Sequence, residues 1–220
     1  MIENLTLSQI YYLLAVNTKG KVSSFNIEKR MCFVAGGLIQ LKLSNCISIE
    51  NKRVHIIGEL SDKINYLKPL YDYIKEKENV KIDKLATDYL CGFTDKKTNE
   101  LIELIGKSLV ELGIATEEQT GVLVKSKVYV ADSETIKTVV NKIKTELMDN
   151  EDISEETTVI YMLLEKSKLL KEYFSQFELK EIKEKIKNVI NNENYKTIKE
   201  IKEVTDYIED VAVTLMVAAT

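Results

Sequence analysis

From Met31 to Leu43 the chain reads MCFVAGGLIQLKL, an almost wholly apolar run containing two adjacent glycines. At a helical rise of ~1.5 Å per residue the run is roughly 20 Å long, short of the ~30 Å hydrocarbon core of a bilayer. A helix that is apolar all round and does not span a membrane belongs at the centre of a globular helical core. The run therefore predicts a buried central helix over Phe25–Ser44, and Gly36-Gly37 marks where a neighbouring helix packs close to its backbone.

The flanking segments supply partners for such a helix. Thr6-Leu7-Ser8-Gln9 has capping-box spacing and opens a first helix carrying Ile10, Leu13 and Leu14. Residues 46–50 and 53–57 alternate about Glu50-Asn51-Lys52 and read as a β-hairpin. Ser61 opens a helix to about Lys77, with Pro69 either in its first turn or kinking it. A shorter helix covers roughly 82–91, and Thr94 caps another that ends at Gly113, a residue suited to a left-handed C′ position. A second hairpin is expected over Gly121–Ala131, with Lys125-Ser126-Lys127 near its tip. Apolar residues then recur at helical spacing in Ile136–Leu147, Val159–Leu164, Leu179–Val189 and Ile198–Val211. One proline and eight glycines leave little room for linkers. The expectation is a single domain over 1–220, mainly α: a helical bundle around a buried central helix, with two protruding β-hairpins.

Composition narrows the function classes. The net charge of -4 argues against a nucleic-acid binder, which needs a basic face to displace counterions from phosphates. Arg30 and Arg53 are the only arginines, so a phosphate site would rest largely on lysine, a point charge without the bidentate fork. Cys32, Cys46 and Cys91 are isolated within apolar runs, the pattern of reduced, buried thiols in a cytosolic protein. The N-terminal segment has no basic n-region and no signal peptide is expected. The expected location is cytoplasmic, with peripheral attachment to the cytosolic membrane face. Abundant Lys, Ile and Asn point to an AT-rich genome.

No catalytic constellation is legible. The single histidine, His55, falls in the first hairpin, and there is neither a G-x-G-x-x-G nor a Walker pattern. The carboxylates alternate with lysines at helical spacing, as in Glu178–Lys187, which is the ordinary solvated face of an amphipathic helix. No enzyme activity, no metal site and no cofactor is expected.

Four blocks carry a family resemblance. Val34-Ala35-Gly36-Gly37-Leu38-Ile39-Gln40-Leu41-Lys42-Leu43, followed by Ile47-Ser48-Ile49, resembles the hallmark helix and strand of the Golgi phosphoprotein 3 family. Lys107-Ser108-Leu109-Val110-Glu111-Leu112-Gly113-Ile114 is similar to that family's K-N-L-V-E-K-G-V segment, with a hairpin following in both. Ile160-Tyr161 through Phe174 and the terminal Leu215-Met216-Val217-Ala218-Ala219 resemble its later helices. The blocks keep their order over nearly the whole chain, and the resemblance is read as that of a bacterial relative. It implies a mainly helical, non-enzymatic peripheral membrane adaptor of the kind that binds phosphatidylinositol 4-phosphate and the cytosolic tails of glycosyltransferases.

The resemblance also assigns positions. The family's pocket aromatic corresponds to Phe25, and its arginines to Val34, Asn99, Ile102 and Leu104, none of which supplies a guanidinium. Phe25, Lys29, Arg30 and Lys107 are then the head-group candidates, for an anionic lipid or phosphoinositide. In the second hairpin, Val122, Val124, Val128 and Val130 fall on one face, Leu123 and Tyr129 on the other, and Lys125 and Lys127 near the tip. A ribbon apolar on both faces is expected to meet a membrane or a second copy of the chain. Two alternatives remain open at this point: a soluble helical protein-interaction module without lipid binding, its partner unknown, and, more remotely, a winged-helix DNA binder.

Overall fold

The computed structural model describes residues 4–90, 96–121, 126–149, 153–191 and 196–218. Helix α1 (Leu7–Ala15) starts at a complete capping box: Thr6 Oγ1 accepts from the Gln9 amide, and Gln9 Oε1 accepts from the Thr6 amide at 3.0 Å. Helix α2 (Ile27–Leu43) is the central helix. It begins after Asn26, whose side chain accepts from the Lys29 amide, so Phe25 stands outside the helix. Every residue from Arg30 to Ile39 is buried. Strands β1 (Ile47–Glu50) and β2 (Arg53–Ile56) form the first hairpin, joined by Asn51 and Lys52, both at positive φ as a tight twisted turn requires.

The segment after Ser61 divides at Pro69: a 3₁₀ turn (Asp62–Leu67) leads into α3 (Lys68–Lys77), whose first turn holds the proline. A two-residue strand β3 (Val80–Lys81), which the sequence pattern does not announce, extends the first hairpin to three antiparallel strands in the order β1-β2-β3. Helix α4 (Ile82–Leu90) and helix α5 (Lys96–Glu111) follow. Thr94, the expected cap of α5, lies outside the described residues. Gly113 (φ 70°) turns the chain out of α5 in the left-handed conformation.

The second hairpin begins earlier in the chain than its sequence suggests. Its strands are β4 (Ala115–Thr120) and β5 (Ser126–Ala131), paired from Ala115↔Ala131 to Thr120↔Ser126, so Ser126 and Lys127 lie near the tip as expected while the first arm begins at Ala115 rather than Gly121. β4, with Glu117, Glu118 and Gln119 exposed, lacks the apolar alternation that marks a strand, which is why the sequence places the first arm too late. The remaining elements are α6 (Ser133–Asp149), α7 (Glu155–Lys166), the short α8 (Leu170–Tyr173), α9 (Gln176–Asn191) and α10 (Lys196–Ala218). The fold is mainly α with two small antiparallel sheets.

Helix α2 is ringed by α1, α3, α4, α5, α7 and α10. Its two glycines play different parts. A Cβ on Gly37 would lie 2.9 Å from Leu70 Cδ2 on α3, whereas one on Gly36 would sit 3.5 Å from Leu163 Cδ1 on α7, an ordinary contact. Gly36→Ala is therefore expected to be neutral or to stabilise by up to about 1 kcal/mol, through helix propensity. Gly37→Ala gains the same propensity against a clash and should fall below it in chemical denaturation. If Gly37→Ala proves the more stable of the two, the packing argument fails.

Candidate functional site

The loop between α1 and α2 is built by short-range hydrogen bonds. Asn17 Oδ1 accepts from the amides of Lys19 and Lys21, each at 3.0 Å, and the Asn17 amide donates to the Lys21 carbonyl. Gly20 turns the loop at φ 69°, and a Cβ there would lie 2.8 Å from Val128 Cβ on β5. Glycine is required on both counts. Downstream, Ser23 Oγ accepts from the Phe25 amide and the Ser23 carbonyl from the Asn26 amide. The result is an aromatic ring held by an ordered backbone with 94% of its surface exposed.

Behind Phe25 the first turn of α2 is tied to the rest of the molecule. Glu28 accepts from Lys168 at 2.6 Å, and this charged hydrogen bond holds the Glu28 carboxyl below the usual carboxylate range. Lys29 Nζ donates to the Ala15 carbonyl at 3.4 Å and lies 3.8 Å from Glu172. Arg30 turns inward: it is 2% exposed, and its Nη1 donates to Asn99 Oδ1 at 2.9 Å. One of the positions at which the resemblance expects an arginine is thus in contact with an arginine from the facing helix. Val34 is 0% exposed within the core, and Ile102 and Leu104 pack half-buried against it.

The four head-group candidates do not converge. Phe25 precedes α2, and Lys29 and Arg30 lie in its first turn. Lys107 lies two turns beyond Asn99 on α5, about 12 Å along its axis. There it borders a separate cleft of about 350 Å³ with Lys63, Tyr66 and Ser108. Sequence proximity to the family's motif brought Lys107 into the set, and Leu104, one of the positions matched to the family's arginines, lines the same cleft. Lys19 and Lys21, both exposed on the same loop as Phe25, were missed because no motif contains them. The Lys168 and Glu172 contacts had no local signal, being some 140 residues away in sequence.

The second hairpin is partly covered from within. Val128 and Tyr129 are each 4% exposed although they point to opposite faces. Gly20 abuts Val128, while Gly106 of α5 lies against the Tyr129 ring and Tyr12 Oη donates to the Tyr129 carbonyl at 3.0 Å. Val130 is half-buried, and Lys127 pairs with Glu117 across the ribbon at 2.9 Å. The expectation that Val128 and Tyr129 need a membrane or a second copy to cover them is therefore corrected, because the α1–α2 loop and α5 do it. Val122, Leu123, Val124 and Lys125 lie outside the described residues.

Burial pushes the Cys32 thiol up to about 12 and raises that of Cys46, so neither is a thiolate at neutral pH. Among the described residues no three His, Cys, Asp or Glu side chains are placed to hold a metal ion. No described helix is long and apolar enough to cross a membrane. What the arrangement offers is an exposed ring with exposed lysines on the same loop.

No curated protein matches the chain. The model of the Golgi phosphoprotein 3 (GPP34) family matches residues 7–217, from the first residue of α1 almost to the end of α10. The central apolar helix, the hairpin after it and the α5-hairpin unit all fall within that match, and the chain belongs to the Golgi phosphoprotein 3 family.

Proposed function

We propose that this chain is a non-enzymatic adaptor that rests on anionic membrane surfaces through the loop ahead of α2, without selecting phosphatidylinositol 4-phosphate. The observation that carries the reading is Phe25, 94% exposed on a backbone that hydrogen bonds hold in place. An exposed aromatic on an ordered loop inserts at the head-group level at little cost in conformational entropy. Lys19 and Lys21 on the same loop add attraction to anionic lipid of about 1 kcal/mol each near the surface. Membership in the Golgi phosphoprotein 3 family supports the adaptor class.

Selectivity is a different matter. Recognition of a phosphorylated head group rests on converging charge-assisted hydrogen bonds. Val34 is enclosed in the core, Ile102 and Leu104 carry no donor, and the Arg30 guanidinium is directed to Asn99. The attraction that remains is set by lipid charge.

Vesicle co-sedimentation tests both halves. Binding is expected to phosphatidylserine-containing vesicles and not to neutral ones, falling steeply between low and moderate salt. Vesicles carrying phosphatidylinositol 4-phosphate at matched charge should bind no better. Phe25→Ala should weaken binding about tenfold, since full burial of a phenyl side chain is worth ~1.5–3 kcal/mol and shallow insertion gains part of it. Salt-resistant binding specific to the inositol head group would overturn the unselective reading. Absence of binding to any anionic vesicle would leave the soluble interaction module as the better account.

A further inference from the structure

A second concave site lies on the edge formed by the first hairpin and α10, and neither the membrane reading nor the family match assigns it a role. The turn of the β1–β2 hairpin, the start of α4 and the middle of α10 enclose a cleft of about 340 Å³. Its floor is apolar: Ile49, Ile82, Val204 and the ring of Tyr207. The turn that walls it is rigid, because Asn51 and Lys52 hold positive φ and the Lys52 carbonyl accepts from the Ile82 amide at 3.0 Å. From that turn Lys52 reaches across and places its ammonium 4.3 Å from the centroid of the Tyr207 ring. An alkylammonium group thus already lies within the cleft, seated on an aromatic face.

Two of the four carboxylates on the rim are not held in ion pairs among the described residues. Glu200 is paired with Lys42 at 2.7 Å, and Asp206 with Lys166 at 2.7 Å and with Lys202. Glu203 and Asp210 line the same cleft, are exposed, and form no ion pair among the described residues. They are seven residues apart on α10, roughly 10 Å along its axis, with Tyr207 between them. A floor for methylene groups, a ring for a cation and two such carboxylates at separated positions describe one kind of ligand. A neutral apolar molecule would desolvate the carboxylates without supplying a counter-charge.

We propose that this cleft binds a linear aliphatic polyamine. Its terminal ammonium groups pair with Glu203 and Asp210, its methylene stem lies on Ile49, Ile82 and Val204, and a nitrogen sits over Tyr207 in competition with Lys52. The volume is at the small end of ligand pockets, suited to such a chain rather than to a folded partner.

Calorimetric titration of the full chain with spermidine at low salt tests the proposal. Saturable binding of one molecule is expected. Glu203→Gln with Asp210→Asn should weaken it tenfold or more, and Tyr207→Leu several-fold. Lys52→Met should tighten it several-fold by vacating the ring. Glu118→Gln with Glu184→Gln removes the same charge from exposed positions elsewhere and should leave binding unchanged. Circular dichroism of each variant confirms that it is folded; the carboxamide variants, being at exposed sites, keep the test decisive if Tyr207→Leu unfolds. Lack of saturable binding overturns the proposal. So does equal weakening by the distant charge variants, or saturation by a lysine-rich peptide that spermidine does not reproduce.

Discussion

Replacing Phe33 with alanine should lower the unfolding free energy by about 3–5 kcal/mol, the range for emptying a buried phenyl site. Phe33 lies in the middle of α2 and is 1% exposed. Its ring meets the edges of Tyr11 and Tyr12, with centroids 4.9 Å and 6.1 Å away and interplanar angles near perpendicular at 70° and 69°. Such pairs add to the burial term. The two tyrosines cannot readily swing into the vacated space: Tyr11 donates to the Lys29 carbonyl at 3.2 Å and Tyr12 to the Tyr129 carbonyl at 3.0 Å. A site that cannot collapse sits in the upper part of the range. For a chain of this length the melting temperature should drop by roughly 6–20 °C. Phe33→Leu, which keeps most of the volume, should cost clearly less. A loss below 1 kcal/mol for the alanine variant in urea unfolding would show that the α1–α2 contact is not the rigid centre described above.

The second large effect is expected at Gly106. A Cβ at this position would stand 2.7 Å from Tyr12 Oη and 2.7 Å from the Tyr129 ring, distances at which something must move. Gly106→Leu places four carbons where three elements meet: α5, α1 and β5. Overpacking costs ~1–3 kcal/mol. Displacing Tyr12 from the Tyr129 carbonyl removes a buried hydrogen bond and leaves a polar group without its partner, a further ~1–3 kcal/mol. The helix propensity gained over glycine returns roughly 0.5–1 kcal/mol. A net destabilisation of about 1–5.5 kcal/mol follows from these three ranges. Amide exchange in β5 should accelerate more than exchange in α2, because the hairpin is the element pushed away. If β5 protection is unchanged while stability falls, the damage lies within α5 and the hairpin is docked by other contacts.

Much of the fold was legible from local signals. The apolar run of α2, the capping box at Thr6, the hairpin turn at Asn51-Lys52 and the left-handed Gly113 were all read in place. Each depends on residues within one or two turns of one another. The first arm of the second hairpin was misplaced because β4 exposes Thr116 through Gln119 and so lacks the alternation of a half-buried strand. β3 was missed because two residues are too few for any pattern.

The candidate site was legible only in part. Phe25 could be named from the resemblance, and Lys29 and Arg30 from their nearness to it in sequence. Their division of labour, with one ring turned to solvent and one guanidinium turned to Asn99, could not. Sequence alone determined how much of each segment must be buried, because hydrophobic periodicity records burial directly. Tertiary structure alone decided what does the burying: Gly20 and Gly106 covering the two faces of β5, α5 meeting Arg30, α10 bringing Tyr207 beneath Lys52. These pairings join residues far apart in the chain. They follow from how helices of given width and direction fit around α2, and no local run of amino acids encodes that fit.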